Sequence, residues 1–569
     1  MRVNFVYAPD PFHSAHQNFG NKYMPIWAFV LASHIDEDAG FELDLFDTRI
    51  SGVEEISAAD VFLMSGMNQD YGHMTEVART LKARYPSAVF VVGGPICWSF
   101  DKAGRLGALD LFDHLVVGDG EDVIGGLLTR IAAGDPPPRI TQVPERFDLA
   151  KARPMHAGLM RKYVEHYYGA VVEVSRGCPF LCEFCDIRIM KDNNRAHNKP
   201  PEQIVADVDR LSRLGVSVFM FACDNFIGDR VWAHAVVDAL VAWRQRTGFR
   251  PSIFTWLTIN LYKDEELMVK MRHSGFDMLF IGVESFDANS LLETAKVQNR
   301  TKEDLPEILR RIQAHGFVVT PGLIFGFDSD SPRLFEVAIE GLERSALLTG
   351  NPSLLIALPG TPLYRRMKLA GRLRDADQHI GRFKFESNVR YVLPRETLVN
   401  GYIDFVQRVS NGAHQYRRFE AYHDNLDGGR YVPLEGRGYG NLFEYVRSML
   451  RNRVALGHLL HRMRAFAADP RNLYYAAKGL ALVVRRRRRV RGGLRIFVIW
   501  MYGWTNFVLQ HWRIRPEDFD IESVEGPVEA RHVLPEGYAD ETGEDIPLGK
   551  TRAQRRNTIT QLRRIVAQL

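Results

Sequence analysis

The sequence predicts an α/β protein: a doubly wound, Rossmann-like N-terminal domain, then an open, partial (β/α)6 barrel, then a mainly helical C-terminal extension. Three observations predict it. Over residues 1–135 short apolar segments alternate with amphipathic stretches, a second series of six such units spans 165–375, and from 376 to 569 the pattern turns helical, with many aromatics and arginines. Strands separated by crossover-length helices make parallel sheets.

In the first series the strand candidates are "RVNFVYA", "FELDLFD", "DVFLMSG", "AVFVVGG" and "HLVVGDGED", each rich in Val, Phe or Leu and each stopped by Pro, Asp, Ser or Gly. "MTEVARTLKARY" is a helical stretch between the third and fourth. In such a sheet ligands sit beyond the C-terminal strand ends. The residues there are Pro9, Asp10, Asp47, Ser65, Gly66, Gly93, Gly94, Pro95, Gly118, Asp119, Gly120 and Glu121. "GDPPPRITQVPERFD", with three consecutive prolines, reads as a break in the pattern, and 136–164 as a linker. The second series comprises "VVEVS", "VSVFMFA", "SIFTWLT", "MLFIGVES", "VVTPGLIFGF" and "SLLIALP", with helices such as "PPEQIVADVDRLSRL" and "KEDLPEILRRIQAHG" between strands. Six units are too few for a closed eight-stranded barrel and suit an open one.

At 569 residues the chain holds two to four domains. A composition 46% hydrophobic and 25% charged is that of a folded protein, and a net charge of +4 gives no global reason to expect nucleic acid. "MRVNFVYAPD" has no apolar core ahead of a cleavage site, so a cytoplasmic setting is expected, where clustered thiols stay reduced. Near the end, "RRRRRVRGGLRIFVIWMYGWTNFVLQHW" (485–512) sets five arginines before an apolar run from Ile496 to Leu509, shorter than the roughly 20 residues that cross a bilayer. Contact with an anionic membrane surface is one reading. A buried helix with a solvated basic end is the preferred one. An RNA anchor is not expected, because no RNA-binding module accompanies the run.

The chemistry is concentrated in "RGCPFLCEFCDIR", residues 176–188. Cys178, Cys182 and Cys185 are three of the chain's five cysteines, which leaves neither a disulfide framework nor a four-cysteine zinc module. Thiolates suit zinc or iron–sulfur clusters. A cubane cluster on three cysteines leaves one iron open to a substrate or cofactor, which gives the odd count a purpose.

CxxxCxxC with an aromatic before its last cysteine, directly after the first strand of a six-unit βα series, resembles the radical S-adenosylmethionine (radical SAM) superfamily. The resemblance implies a [4Fe–4S] cluster on Cys178, Cys182 and Cys185, S-adenosylmethionine on its open iron, a 5'-deoxyadenosyl radical, and a reductant such as a flavodoxin or ferredoxin. It places Phe184, Gly322, Ile324 and Gly326 (in "GLIFG") near the adenine, and Asp224 and Asn225 near the methionine moiety. Gly282, Glu284 and Ser285 (in "IGVES") fall among the ribose and methionine contacts. The glycine-rich motif often found after the second strand is absent here, where "FACDNF" stands.

A doubly wound domain ahead of such a core resembles the cobalamin-binding subclass, whose glycine-rich turns lie against the corrin and its nucleotide tail. "VVGGP" and "VVGDGED" match them, which implies cobalamin at Ser65, Gly93, Gly94, Pro95, Gly118, Gly120 and Glu121. The chain has no DxHxxG, so no histidine is marked as a lower cobalt ligand. Methylthiotransferases of similar layout carry three further N-terminal cysteines. Here there is only Cys97, read with Cys223 as a packing residue. The segments after residue 356 resemble the branch that includes hopanoid methylases. The implied activity is C-methylation of an unactivated carbon in a lipid or natural product; a cobalamin-free radical enzyme and a non-catalytic cluster or corrinoid sensor are the alternatives.

Overall fold

The computed structural model describes residues 1–10, 23–190, 192–299, 301–374, 385–434 and 453–533. Strands β1 (Arg2–Tyr7), β2 (Glu42–Asp47), β3 (Val61–Ser65), β4 (Val89–Gly93), β5 (His114–Val117) and β6 (Ile140–Gln142) form a parallel sheet in the order β2-β1-β3-β4-β5-β6. Side chains of a strand point alternately to the two faces. Phe62, Met64, Phe90, Val92, Leu115 and Val117 accordingly pack under the helices Tyr71–Arg84 and Pro95–Lys102. Val61, Leu63, Val91 and Val116 face the other way, toward helices Ile26–Ser33 and Ile124–Ala132. Both faces are buried, which is why these strands read as continuous apolar runs.

One expectation is corrected. Residues 136–164, read as a linker, contain β6, which extends the sheet beyond β5 through Leu115 N–H to Arg139 O (2.7 Å) and Val143 N–H to Val117 O (2.8 Å). They also contain the helix Ala157–Tyr163, whose Leu159 and Met160 are buried in the main core. A strand this short, entered through prolines, carries no periodicity of its own; the open edge of β5 recruits it.

The second sheet joins β7 (Ala170–Glu173), β10 (Val218–Ala222), β11 (Ser252–Leu257), β12 (Phe276–Glu284), β13 (Val318–Phe325) and β14 (Asn351–Leu354), all parallel and side by side in chain order. It is the open six-unit barrel that was expected, although its last strand lies slightly earlier than "SLLIALP" suggests. Between β7 and β10 an antiparallel pair, β8 (Ser175–Arg176) with β9 (His197–Asn198), pinches off the loop that carries the cysteines. The core of this sheet is continuous with the second face of the first: Val3, Phe5, Leu63, Val172, Phe219 and Ile281 belong to one buried cluster.

The extension holds helices Arg395–Ser410, Gly412–Leu426, Arg453–Ala467, Pro470–Arg486 and Gly493–Gln510, and also a parallel pair, β15 (Glu386–Tyr391) with β16 (Asp520–Ser523). Of the apolar run, Ile496, Ile499, Trp500, Trp504 and Phe507 are buried, and Trp500 stacks on Phe419 at 4.1 Å. The preferred reading of a buried helix is the one that forms. Among the described residues no helix is long and apolar enough to cross a membrane.

Candidate active site

Parallel strands direct their following loops to one edge, and the three cysteines leave β7 at that edge. The loop opens at Gly177, whose φ of +91° and closeness to Arg195 O leave no room for a side chain. Gly177 N–H donates to Asp224 Oδ2 (2.6 Å), Cys178 N–H to Asn193 O (2.9 Å), and Cys185 N–H to Cys182 O (3.3 Å). Cys182 is buried, and Cys178 and Cys185 half-buried. Burial pushes the Cys178 thiol up to about 11 and that of Cys185 well above its ordinary value. Neutral thiols are thus favoured until an electrophilic metal group takes the protons' place. Among the described residues no three His, Cys, Asp or Glu side chains gather to hold a single metal ion. A four-iron cluster makes no such demand, since each thiolate bonds a different iron.

Glu183, inside the motif, anchors the loop from below. Arg366 Nε and Nη2 donate to its two carboxylate oxygens (2.7 and 3.0 Å), and the same guanidinium reaches Glu293 (2.9 Å) and Asp328, itself paired with Arg372 at 2.6 Å. All five side chains are buried.

Above the loop, at the end of β12, Glu284 has a left-handed backbone (φ 63°) where the β12–β13 register slips, a conformation costly for a residue with a side chain. Its carboxylate accepts from Lys296 Nζ at 2.6 Å, and Lys296 lies 5.8 Å from the Phe184 ring. Burial works against the Lys296 ammonium, but the Glu284 carboxylate and, once ionised, the Cys182 sulfur raise its pKa. Gln298 Nε2 donates to Cys182 Sγ (3.4 Å), leaving its Oε1 without a partner among the described residues. An ammonium and an amide donor beside the thiols suit a sulfur-rich anionic cluster.

The other expected residues are spread along the same edge. Gly282 and Gly322 flank Glu284. Ile324 is half-buried on β13. Gly326 packs under Tyr391, outside this group, while its neighbour Phe327 comes within 6.3 Å of Phe184. Asn225 is turned toward β11, where Oδ1 accepts from Thr258 N–H (3.3 Å) and Nδ2 has no partner among the described residues. Ser285 Oγ accepts from Asp287 N–H (3.0 Å) in the turn that starts the next helix.

Between the two sheets lies a cavity of about 280 Å³. Ser65, Gly93, Gly94, Pro95, Gly118, Gly120 and Glu121 all line it from the first sheet, and Glu173, Arg176 and Asp224 from the barrel side. Its inner walls are apolar, with Trp27, Leu63, Val91 and Val116 among them. Gly94 has φ +85°, and a Cβ there would lie 2.3 Å from Ser65 Oγ, so the turn keeps its backbone open to the cavity. Bare glycine turns over an apolar slot suit a large planar cofactor with a heterocyclic tail.

Charge closes the mouth. Arg176, next to the cysteine loop, pairs with Glu173 (2.7 Å), Asp119 (3.2 Å) and Glu121. Arg146 pairs with Asp119 at 3.3 Å and lies over the Trp98 ring. Burial pushes the Asp224 carboxyl up to about 6 against the Gly177 N–H that lowers it. Lys296, Gln298, Arg146, Glu173 and Arg176 were not expected from sequence; only Arg176, beside the motif, had a positional clue, whereas Asp119 lies in the expected strand-end turn 118–121.

Comparisons with known proteins find relatives of both domains. Residues 172–340 match the family model of the radical SAM superfamily, 15–128 that of the B12 binding domain, and 361–488 a domain of unknown function (DUF4070). The chain is 30% identical over 396 residues to an uncharacterized methyltransferase of Synechocystis sp., covering 67% of this chain and 69% of that protein. It is 29% identical over 404 residues to the hopanoid C-2 methylase of Rhodopseudomonas palustris, covering 70% and 73%. In fold it is similar to the radical S-adenosylmethionine methyltransferase TsrM from Kitasatospora setae (TM-score 0.53, 16% identity, 66% and 79% covered). It is also similar to the cobalamin-dependent S-adenosylmethionine radical enzyme OxsB (TM-score 0.58, 14% identity, 99% and 83% covered). With a radical SAM core, a B12-binding domain ahead of it and relatives among the methylases, the chain belongs to the cobalamin-binding-domain subclass of the radical SAM superfamily and resembles the branch that includes the hopanoid methylases.

Proposed function

We propose that the protein is a cobalamin-dependent radical SAM C-methyltransferase acting on an unactivated carbon of a lipid or natural product. One observation carries the proposal: the cavity under the glycine turns of the first sheet is walled on its far side by Arg176 and Asp224, which meet at Gly177, where the cysteine loop opens. Cys178, Cys182 and Cys185 would hold a [4Fe–4S] cluster, and Ser65, Gly93, Gly94, Pro95, Gly118, Gly120 and Glu121 would cradle cobalamin. When bound, the cluster with S-adenosylmethionine supplies a 5'-deoxyadenosyl radical, and cobalamin supplies the methyl group.

The chain's own residues bind, orient and exclude water. Phe184, Gly322 and Ile324 offer an apolar surface for the adenine, with Gly326 set apart under Tyr391, and the Lys296–Glu284 pair offers a cation and a carboxylate for the polar end of S-adenosylmethionine. Asp224, Asn225, Gly282 and Ser285 line the same edge, with Asn225 Nδ2 able to donate. The hopanoid C-2 methylase named above supports a lipid acceptor by analogy. A second reading, radical chemistry without methyl transfer, is supported by an anaerobic magnesium-protoporphyrin IX monomethyl ester cyclase of Synechocystis sp., 22% identical over 356 residues.

The test is anaerobic reconstitution with iron, sulfide and hydroxocobalamin, then metal quantification and product analysis from S-adenosylmethionine under reductant. Near four irons per chain, stoichiometric cobalt, and both 5'-deoxyadenosine and S-adenosylhomocysteine are expected. Iron and 5'-deoxyadenosine without cobalt would select the second reading. Zinc in place of iron would overturn both.

A further inference from the structure

Globular proteins scatter exposed apolar side chains singly. Here, of the twelve large hydrophobic residues that stand exposed among the described residues, eight fall between positions 460 and 498. They occupy the outer sides of three helices, Arg453–Ala467, Pro470–Arg486 and Gly493–Gln510, the last of which packs against both others.

Their spacing is helical. In Pro470–Arg486 the residues Leu473, Ala477, Leu480 and Val484 follow steps of four, three and four, which aligns them in one stripe, and all four are exposed. Leu482 and Val483 of the same helix are buried on its inner side. The helix is therefore apolar toward the solvent as well as toward the core. In Arg453–Ala467, exposed Leu460 and Met463 continue with exposed Ala467 in the same spacing. Gly493–Gln510 adds Leu494 and Val498 one turn apart.

The arginine run begins directly where the apolar stripe of Pro470–Arg486 ends. Arg486 is taken up by Asp424 (2.6 Å) and Asp427, but Arg485, Arg487, Arg488 and Arg491 are exposed and in no ion pair among the described residues. A folded protein partner would bring its own core against such a face and would have to match four guanidinium groups with carboxylates. A bilayer offers both halves of the match at once, acyl chains to the leucines and headgroup phosphates to the arginines.

We infer that these three helices form a docking surface for an anionic phospholipid bilayer, with the Leu473–Val484 stripe entering the headgroup boundary and Arg485, Arg487 and Arg488 contacting phosphates. The contact differs from the one suggested by the apolar run alone, since Ile496, Trp500, Trp504 and Phe507 are committed to the core. It is independent of the proposed reaction and needs neither iron nor cobalt in its readout.

The test is sedimentation of the full chain with vesicles of phosphatidylcholine, with and without phosphatidylglycerol, alongside thermal melting. Binding is expected only with phosphatidylglycerol, and is lost near 1 M salt, where the screening length falls to about 3 Å. The Arg485→Gln, Arg487→Gln, Arg488→Gln variant should bind about a hundredfold more weakly, at about fivefold per arginine. A Leu473→Gln, Leu480→Gln, Val484→Gln variant should bind about tenfold or more weakly at an unchanged melting temperature. Loss of several degrees in that variant would mean that the chain covers the stripe itself, and would overturn the inference. So would a concentration-dependent dimer that the variant abolishes, or a parent protein that ignores both vesicles.

Discussion

Replacing Arg366 by methionine tests what holds the cysteine loop. The guanidinium serves Glu183, Glu293 and Asp328, and the side chains of all four are at most 3% exposed. In the variant Asp328 keeps Arg372, and Glu293 keeps the Ser329 N–H and hydroxyl. Glu183, between Cys182 and Cys185, loses the ion pair that serves both of its oxygens. Breaking one buried ion pair from one side costs about 3–5 kcal/mol, and a domain of some 200 residues loses about 2–4 °C per kcal/mol. Calorimetry should therefore show a fall of about 6–20 °C in the transition of the barrel. Iron per chain after reconstitution should fall with it, while cobalt is retained. Adding Glu183→Gln to Arg366→Met should recover part of the loss, because the buried charge is removed as well. A single variant that melts within a degree of the parent and binds iron equally well would refute the assignment of this cluster as the anchor.

The same geometry makes three further outcomes expected. Gly94→Ala forces a left-handed backbone on a side chain that would sit 2.3 Å from Ser65 Oγ, so cobalt occupancy should fall while iron content holds. Arg176→Gln leaves Glu173, Glu121 and Asp119 without their shared cation, so cobalt and iron should fall together, since the residue touches both sides of the seam. His423 is buried against Phe419, and burial pushes its pKa down from 6.5 to about 4. Below pH 6.5 the unfolded chain takes up a proton that the folded chain refuses until about pH 4, so stability falls as pH drops through that window. The loss reaches about 3 kcal/mol. Denaturation followed by the fluorescence of Trp500 and Trp504, which cluster with Phe419, should show that slope, and His423→Leu should reduce it, with His34 and His315, also lowered by burial, contributing to the remainder.

Much of this was legible because parallel strands buried on both faces spell themselves out as apolar runs, and because three local thiols in one loop have few chemical uses. The glycine turns were legible for the same reason: only glycine tolerates the Gly94 backbone, so the fold advertises the site. Lys296 and Gln298 were not. Their segment, "KVQN", looks like any solvated turn, and nothing local says that the chain folds back over Cys182. Arg146 and β6 were hidden by the prolines before them, which mark a break in local pattern without saying whether a neighbouring strand edge will capture the next residues. The arginine run misdirected in a different way. It drew attention to the apolar residues after it, most of which are core, and away from the stripe before it, which lies in a helix whose alanines and lysine dilute its hydropathy.

The seam between the sheets combines two kinds of contact that ordinarily belong to different interfaces. Domains that move against each other meet through modest, largely polar surfaces. Here the inner part of the seam is a single apolar core that runs from Val3 and Phe5 to Val172 and Phe219, and the rim of the cavity is charged. A continuous close-packed core has no sliding plane, because shifting it opens voids that cost as much as core truncations do. The distance between the glycine turns and the cysteine loop is therefore set by the fold, and the charged rim of Arg176, Arg146, Asp119 and Glu121 fixes the mouth of a cavity whose size does not depend on closure. Two cofactors held on opposite walls would meet a substrate at a constant separation, so that access has to come along the open edge of the partial barrel. Phe184, Lys296 and Glu284 stand along that edge.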